Sequence, residues 1–308
     1  MRLTISENFR AVFYAPFYAA FALEAFQAEG IDAVLGGATE HSGASNAIRS
    51  GQAQVTWGGP MRVMLDHDRH PDSDIVCFCE VVGRDPFTLV GAKPEPGFAL
   101  ADLFSRRLAV VSEVGTPWLC LQHDLRREGL DPEKLARVDD RTMAENAEAL
   151  RRGALDVIQV FEPFVETLVA EGAGHVLYAA ADRGPCTYTS FYATRGFLAD
   201  NPDAASAMTR AIQRMQDWIA ANDTAALAEL VRPYFPDLPM PILTGALSRY
   251  RENGVWKSDP VMSREAFDRL ADGLVSGGLI SGRVPFEDCV DMRFAVAARE
   301  AAAGKRAG

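Results

Sequence analysis

One short phrase occurs twice in this chain, and the two copies start 102 residues apart, at positions 47 and 149. The first copy, residues 47–55, reads AIRSGQAQV, and the second, residues 149–157, reads ALRRGALDV. In both, helix-forming residues run into a glycine, which suits the turn that ends a helix, and a short apolar run follows. The phrase predicts a helix end and the buried strand after it, so two copies predict two similar α/β lobes.

Predicted strands and helices alternate around each copy of the phrase. In the first half the predicted strands are RLTIS (2–6), IDAVLGG (31–37), AQVTWGG (53–59) and DIVCFCEVVG (74–83). In the second they are RRLAVVS (106–112), ARVDD (136–140) and LDVIQVF (155–161). Thr116 with Pro117 predicts an N-cap, and Thr142 with Glu145 predicts a capping box. Alternation at this spacing indicates parallel sheets covered by helices on both faces.

The fold class predicted from this pattern is α/β with two lobes, each a mostly parallel sheet with helices on both faces. Lobe I is predicted to comprise residues 1–86 and 190–308, and lobe II residues 87–189. The chain then passes between the lobes twice. Two such crossings make a hinge, and a hinged cleft closes over small ligands.

The crossings are predicted at GRDPFTLVGA (83–92) and GPCTYTSFYA (184–193). Two helical stretches follow much later, near 240–250 and 263–276. We expect these C-terminal helices to pack on lobe I.

Composition limits the possible partners. A formal net charge of −11 argues against nucleic acid, whose phosphates require a basic surface. No apolar run approaches the ~18 residues that a membrane-spanning helix needs, so no membrane insertion is predicted. The chain opens directly into a predicted strand, MRLTIS, without an export signal. As written it is expected in the cytoplasm, and in the periplasm only if a leader has been removed.

Cysteine and histidine patterns do not predict a metal or redox site. The five cysteines cannot all pair, and Cys77 and Cys79 share one face of a predicted strand, as buried thiols do. The tract DHDRH (66–70) contains two histidines, but Pro71 and the acidic surroundings favour a solvated helix end. No metal and no cofactor are therefore predicted.

Candidate ligand-binding residues follow from sheet geometry. Ligands of open α/β sheets bind outside the carboxyl ends of the strands, so the loops that follow the strands, together with the return crossing, should line the cleft. The predicted ligand-binding set from these segments is Asn8, Phe9, Tyr14, Trp57, Gly58, Ser112, Glu113, Gly115, Thr116, Trp118, Glu162, Tyr188 and Ser190. No catalytic residue is predicted.

Several of these residues also have a purely structural interpretation. Trp57 could stack on a planar ligand or pack in the core, and Trp118 could equally be a core residue. Ser112, Gly115 and Thr116 stand at a predicted helix N-terminus, which suits an anion or a carbonyl group. Helices need caps in any case, so both interpretations stay open.

The chain resembles the type II periplasmic substrate-binding proteins of ABC importers in five segments, taken in order: FYAPFYAAFALEAFQAEGIDAVL, AIRSGQAQVTWGG, DPFTLV, ALRRGALDVIQVFEP and FYATRGFLADNP. The most similar branch serves sulfonates, nitrate and thiamine-pyrimidine precursors, and it includes the fungal thiamine-pyrimidine synthase. The resemblance implies capture of a small solute between two lobes and delivery to an ABC permease. It also implies a periplasmic location.

The resemblance bears on Glu162, which follows the second copy of the phrase. Thiamine-pyrimidine binders and synthases carry an acidic residue at the matching position, which implies that Glu162 accepts hydrogen bonds from an aminopyrimidine. The alternative is a solvated carboxylate at a helix start, which the helix dipole favours.

Two sets of residues that are typical of the synthase are missing from this chain. Its cysteine-rich CCCFC element is replaced here by GPCTYTSF, with Cys186 alone. The segment TWGGPMRVML supplies neither the lysine nor the histidine that follow the synthase's third strand. Binding without turnover is therefore predicted, with an enzyme of thiamine-pyrimidine synthesis as the alternative.

An aminopyrimidine is the predicted ligand because the predicted cleft loops are aromatic and acidic. Glu113 and Glu162 would oppose an anion, and Arg10 is the only basic residue beside the predicted set. A neutral or cationic ring, stacked on an aromatic face and hydrogen-bonded to a carboxylate, fits these loops better than an ionised sulfonate or nitrate does. A sulfonate- or nitrate-type binder remains the alternative.

Overall fold

The computed structural model describes residues 1–38 and 43–307, which form two five-stranded sheets with helices around them. The strands are β1 (Arg2–Glu7), β2 (Asp32–Ala38), β3 (Val55–Gly58), β4 (Ile75–Val82), β5 (Thr88–Gly91), β6 (Leu108–Ala109), β7 (Arg137–Val138), β8 (Val157–Val160), β9 (His175–Ala179) and β10 (Thr189–Thr194). The helices are α1 (Ala15–Ala22), α2 (Ala25–Ala28), α3 (Gly43–Arg49), α4 (Met61–Arg69), α5 (Thr116–Arg127), α6 (Met143–Arg151), α7 (Phe164–Ala170), α8 (Arg195–Asp200), α9 (Pro202–Ala221), α10 (Thr224–Val231), α11 (Met240–Glu252), α12 (Arg264–Ser276), α13 (Phe286–Cys289) and α14 (Arg293–Ala307).

The two sheets have the same topology. The strand order is β2-β1-β3-β10-β4 in the first sheet and β7-β6-β8-β5-β9 in the second. In the first sheet β10 runs antiparallel to both of its neighbours, and in the second sheet β5 does so. The other four strands of each sheet share one direction. The prediction of two mostly parallel α/β lobes is confirmed, and the exception in each sheet is a crossing strand.

The repeated phrase occupies equivalent places in the two sheets. Its first copy ends α3 and leads into β3, and its second ends α6 and leads into β8, the third strand of each sheet order. Gly51 and Gly153 both have left-handed backbones, with φ of 73° and 69°. A side chain is strained in that conformation, so glycine is what lets the chain reverse here. All residues of both strands are buried, as the phrase predicts.

The two predicted helix starts in the second half differ in outcome. The Thr142 side chain accepts from the Glu145 backbone N–H, and the Glu145 carboxylate accepts from the Thr142 backbone N–H at 2.8 Å, so the capping box is confirmed. The Thr116 N-cap is wrong by one residue. Gly115 precedes α5 without a side-chain cap, and Thr116 is the first helical residue.

The C-terminal helices contact both lobes. Lobe I carries the first sheet, and α9 and α14 pack on it as predicted, through α1, α2 and β4. However, α11 packs against α7 and α12 packs against α5, and both of these partners belong to lobe II. The expectation that the C-terminal helices pack on lobe I is therefore too narrow. The strands of the first sheet come from residues 2–82 and 189–194, and the exact lobe boundaries stay a prediction.

The cysteines and the DHDRH tract have structural surroundings. All five cysteines are buried and free, and burial raises the pKa of the Cys77 and Cys79 thiols well above the ordinary value. In the tract, Asp66 accepts from Arg49 at 2.6 Å and the His67 Nε2 atom lies 2.9 Å from the Ile75 carbonyl oxygen. Residues 1–38 and 43–307 contain no group of three potential metal ligands. Over the same residues, every helix is too short or too polar to span a membrane.

The Glu80 carboxylate is buried beside the first sheet without a hydrogen-bond partner among the described residues. Its side chain, on β4, is 1% exposed. The Lys257 ammonium lies 3.6 Å away. Burial raises the pKa of Glu80 to about 7, and the nearby Lys257 charge only partly opposes this.

We predict that this carboxylate gives the wild-type protein a pH-dependent stability that Glu80→Gln removes. Because the folded-state pKa lies above the ordinary 4.5, the folded chain binds a proton that the unfolded chain releases between pH 4.5 and 7. Wild-type stability should thus fall across this window by up to ~1.4 kcal/mol per pH unit relative to the glutamine variant. Urea unfolding at pH 5 and pH 7.5 measures the difference, with the exposed Glu229→Gln as control. A pH-independent difference would contradict the prediction.

Candidate functional site

Two adjoining cavities lie between the lobes, at the carboxyl ends of the strands. The smaller, of about 30 Å³, is lined by the loop after β1, the start of α4, the start of α5 and residues beside both crossings. The larger, of about 470 Å³, is lined by the same β1 loop, the segment after β8 and residues 234–238. Phe9 and Val114 line both cavities. The predicted cleft is therefore present as two chambers.

Asn8 lines the smaller cavity and is held in place by a backbone contact. Its side-chain amide donates to the Trp57 carbonyl oxygen at 3.1 Å. This contact requires the glycine at position 58, because a methyl group there would overlap the Asn8 amide and crowd the Tyr192 hydroxyl. The Asn8 Oδ1 atom is buried without a hydrogen-bond partner among the described residues. Gly58 thus acts on the site indirectly, through the position of Asn8.

Arg62 supplies a positive charge at the smaller cavity. It lies in the first turn of α4, just after the Gly58-Gly59-Pro60 turn, and is partly buried. Burial raises the pKa of Tyr192 to about 12, and the charge of Arg62 opposes part of that rise. Burial also raises the pKa of Tyr14, and the charge of Arg62 opposes part of that rise as well. The expectation that Arg10 is the only basic residue at the cleft is wrong.

About half of the predicted ligand-binding residues line these cavities. Those at the smaller cavity are Asn8, Phe9, Tyr14, Thr116 and Tyr188. Those at the larger cavity are Phe9, Glu113 and Glu162. Their role as ligand contacts stays a prediction.

The remaining predicted residues line neither chamber. Trp57 is fully buried and stacks on Phe17, with ring centroids 4.7 Å apart, so its core interpretation is the one that fits. Ser190 is also fully buried, and its hydroxyl donates to the Cys79 carbonyl oxygen at 2.9 Å. Trp118 packs beneath the Arg137 guanidinium, 4.5 Å from the ring centre.

Ser112 and Gly115 are exposed beside the start of α5. Ser112 donates its backbone N–H to the Arg141 carbonyl oxygen at 3.3 Å. Together with Gly58, these two residues shape the loops around the chambers and do not line them.

Both predicted carboxylates of the cleft are engaged with the protein. Glu113 Oε1 accepts from the Met143 backbone N–H at 2.9 Å, at the start of α6. Glu162 is 1% exposed; its Oε2 atom accepts from the Glu166 backbone N–H at 2.8 Å, in the first turn of α7. Burial raises the pKa of Glu162 to about 7, although the Glu166 backbone N–H and the nearby Arg249 guanidinium favour the charged form. This geometry places Glu162 at a helix start, as the alternative interpretation has it, but the carboxylate is buried and not solvated. Each of its two oxygens already accepts a hydrogen bond from the protein.

Arg249 joins α11 to lobe II through what we call the Arg249 clasp, formed by Arg249, Glu162, Glu166 and Tyr250. The Arg249 Nε atom donates to Glu162 Oε1 at 2.7 Å, and a second guanidinium nitrogen donates to Glu166. The Glu162 backbone N–H donates to the Tyr250 hydroxyl at 2.9 Å. No local pattern indicates this contact, because Glu162 and Arg249 are 87 positions apart in the chain.

We predict that Glu162 and Arg249 are energetically coupled in the ligand-free protein. Glu162→Ala and Arg249→Ala should each lower the free energy of unfolding by about 1–3 kcal/mol, because each leaves a partly buried polar partner unsatisfied. The double variant should cost less than the sum, with a coupling of about 0.5–3 kcal/mol. Urea unfolding of the four proteins measures it. As control, Arg2→Ala, which removes an exposed and distant arginine, should add to Glu162→Ala without coupling.

Solved structures with this arrangement define the class of fold. The periplasmic aliphatic sulphonate binding protein SsuA of Escherichia coli superposes with a TM-score of 0.74 at 15% identity, over 93% of this chain and 96% of that one. A mutant of DSZB in complex with biphenyl-2-sulfinic acid superposes with a TM-score of 0.69 at 15% identity, over 97% of this chain and 99% of that one. The chain therefore has the two-lobed fold of the periplasmic binding proteins, and the resemblance found in its sequence is confirmed.

Sequence comparison agrees with the fold. Residues 94–232 match the model of the NMT1-like family. A Bacillus subtilis (strain 168) protein named "Putative binding protein YtlA" is 21% identical over 296 residues, which are 96% of this chain and 89% of that protein.

Proposed function

We propose that this chain is a solute-binding protein that holds the anionic head group of a small organic molecule in the smaller cavity. The observation that carries the proposal is the lining of that cavity. Arg62 contributes a positive charge, and no carboxylate stands among the described residues that line it. A guanidinium donates paired N–H groups to the oxygens of a sulfonate, carboxylate or phosphate.

Helix ends and hydroxyl groups add to the charge of Arg62. Met61 and Arg62 open α4, and Thr116 is the first residue of α5, so the positive ends of two helix dipoles meet at this cavity. Tyr14 and Thr187, which carry hydroxyl groups, also line it. Such a donor set favours an oxyanion over a neutral ring.

This geometry weakens the case for an aminopyrimidine. That prediction rests on free carboxylates at Glu113 and Glu162 and on a single arginine, whereas Arg62 lines the cavity and both carboxylates accept from helix-start N–H groups. Of the oxygens of these two carboxylates, Glu113 Oε2 alone keeps no partner among the described residues. The alternative of a sulfonate-type ligand gains support from two relatives, since E. coli SsuA is named for aliphatic sulphonates and DSZB was solved with a sulfinic acid. We therefore take sulfur oxyanions as the ligand class.

Binding without turnover is part of the proposal. The described residues that line the two chambers include no serine, cysteine, histidine or lysine that could act as a nucleophile. The name of a further structural relative, the "putative sulfonate ABC transporter, periplasmic sulfonate-binding protein SsuA" of Methylobacillus flagellatus KT, supports a periplasmic location and delivery of the solute to an ABC permease.

Ligand screening tests the proposed class. Benzenesulfonate should raise the melting temperature of the purified protein and bind in calorimetry, whereas nitrate and 4-aminopyrimidine should do neither at the same concentration. Selective stabilisation by 4-aminopyrimidine would overturn the anion proposal and restore the ligand predicted from the sequence.

Arg62→Gln should weaken benzenesulfonate binding by about 10- to 100-fold, because a charge-assisted hydrogen bond to the ligand is worth about 1.5–3 kcal/mol. Arg2→Gln, which removes the same charge from an exposed site, is the matched control and should leave affinity unchanged. Calorimetry at two salt concentrations completes the test. Equal losses in both variants would mean that general electrostatic attraction, and not a contact from Arg62, supports binding.

A further inference from the structure

We infer that the solute carries a neutral, ring-bearing apolar group that occupies the larger cavity while its anionic head occupies the smaller one. This inference rests on the proposed function and specifies the ligand further. It depends on the sizes of the two chambers, on their shared boundary and on the chemistry of the larger one.

The volumes of the two chambers indicate which one holds the anionic head group and which one holds the rest of the solute. A chamber of about 30 Å³ has room for about two water molecules, since each needs on the order of 10–15 Å³ by this measure. A head group fills it. The larger chamber, at about 470 Å³, lies within the range of pockets that hold small organic ligands, roughly 300–1,000 Å³. A solute that is only a head group would leave this chamber without a ligand.

The boundary between the chambers is itself apolar. Phe9 and Val114 line both, so a molecule that extends from one chamber into the other passes along these two side chains. Phe161 also lines the larger chamber and packs beside Phe9, with ring planes 18° apart and centroids 6.4 Å apart. Aromatic faces at this boundary favour a planar group next to the head.

The residues that line the larger chamber favour an uncharged, apolar group on the solute. The apolar residues of this chamber come from both lobes and from the segment after α10, and include Val12, Met143, Phe161, Phe164, Phe235 and Leu238.

The charged groups at the edge of this chamber disfavour a second anion. The Arg10 guanidinium is bound by Glu7 at 2.6 Å and by the Tyr234 carbonyl oxygen at 3.0 Å, so three of its five N–H groups are engaged and its charge is paired with Glu7. Glu113 and Asp237 are carboxylates and would repel negative charge. A body without negative charge is the one that this lining accepts.

A series of sulfonates with one head group and growing bodies tests the inference. By calorimetry, benzenesulfonate should bind about 30-fold or more tightly than methanesulfonate, and naphthalene-2-sulfonate more tightly again, because each ring buries further apolar area. Hexanesulfonate, similar in size but flexible, should bind more weakly than benzenesulfonate. Equal affinities along the series would overturn the inference and leave the proposed function standing.

A variant in the larger chamber adds a readout that separates the two proposals. Leu238→Ser should weaken naphthalene-2-sulfonate binding by about tenfold and leave methanesulfonate binding unchanged. Leu230→Ser, at a similarly half-buried leucine of α10 outside both chambers, should change neither. Equal effects of Leu238→Ser on both ligands would count against the inference.

The neutral probe naphthalene tests the larger chamber without the head-group site. Its binding to the wild type, followed by its fluorescence and reduced by Leu238→Ser, is expected even if no sulfonate binds and the proposed function fails. Absence of naphthalene binding would overturn the inference whatever the sulfonates do.

Discussion

The two antiparallel strands β5 and β10 are the constraint on which the rest of this structure depends. Each enters a sheet of otherwise parallel strands and is hydrogen-bonded on both sides, so the lobes are joined through sheet interiors. The residues just before these strands, Phe87 and Tyr188, line the smaller cavity. The binding chamber and the connection between the lobes are therefore built from the same few residues, and a change in lobe orientation changes the chamber.

Charge is divided unequally between the chambers. The smaller has the Arg62 guanidinium and two helix N-termini, while the carboxylates lie along the larger. Two of these, Glu113 and Glu162, accept from helix-start N–H groups, and Glu162 also pairs with Arg249. The buried Glu162 needs such partners. Leaving its ionised carboxylate unpaired at this depth would destabilise the fold by far more free energy than the ion pair itself contributes. Of the acidic residues that the sequence places at the cleft, Glu162 thus has its charge compensated within the fold, by Arg249.

The sequence predicts the fold well because its signals are local. The paired glycines Gly51 and Gly153 and the capping box at Thr142 act within a few residues of themselves, and periodicity separates strands from helices. The site is predicted only in part, because a loop can be placed at a sheet edge without revealing where each side chain points. Trp57 pointed into the core, and Arg62 was overlooked because it belongs to the helix after the loop.

The Arg249 clasp adds a non-covalent connection between the lobes to the two covalent crossings. Because α11 follows β10 in the chain while α7 lies between the crossings, any separation of the lobes that moves α7 from α11 must break the ion pairs of Arg249. In a protein that traps a solute, the lifetime of those pairs would enter the residence time of the solute. Arg249 keeps 23% of its side chain exposed, so dissolved ions reach the pair and screen it. Ionic strength outside the protein would then help to set how long a captured molecule stays.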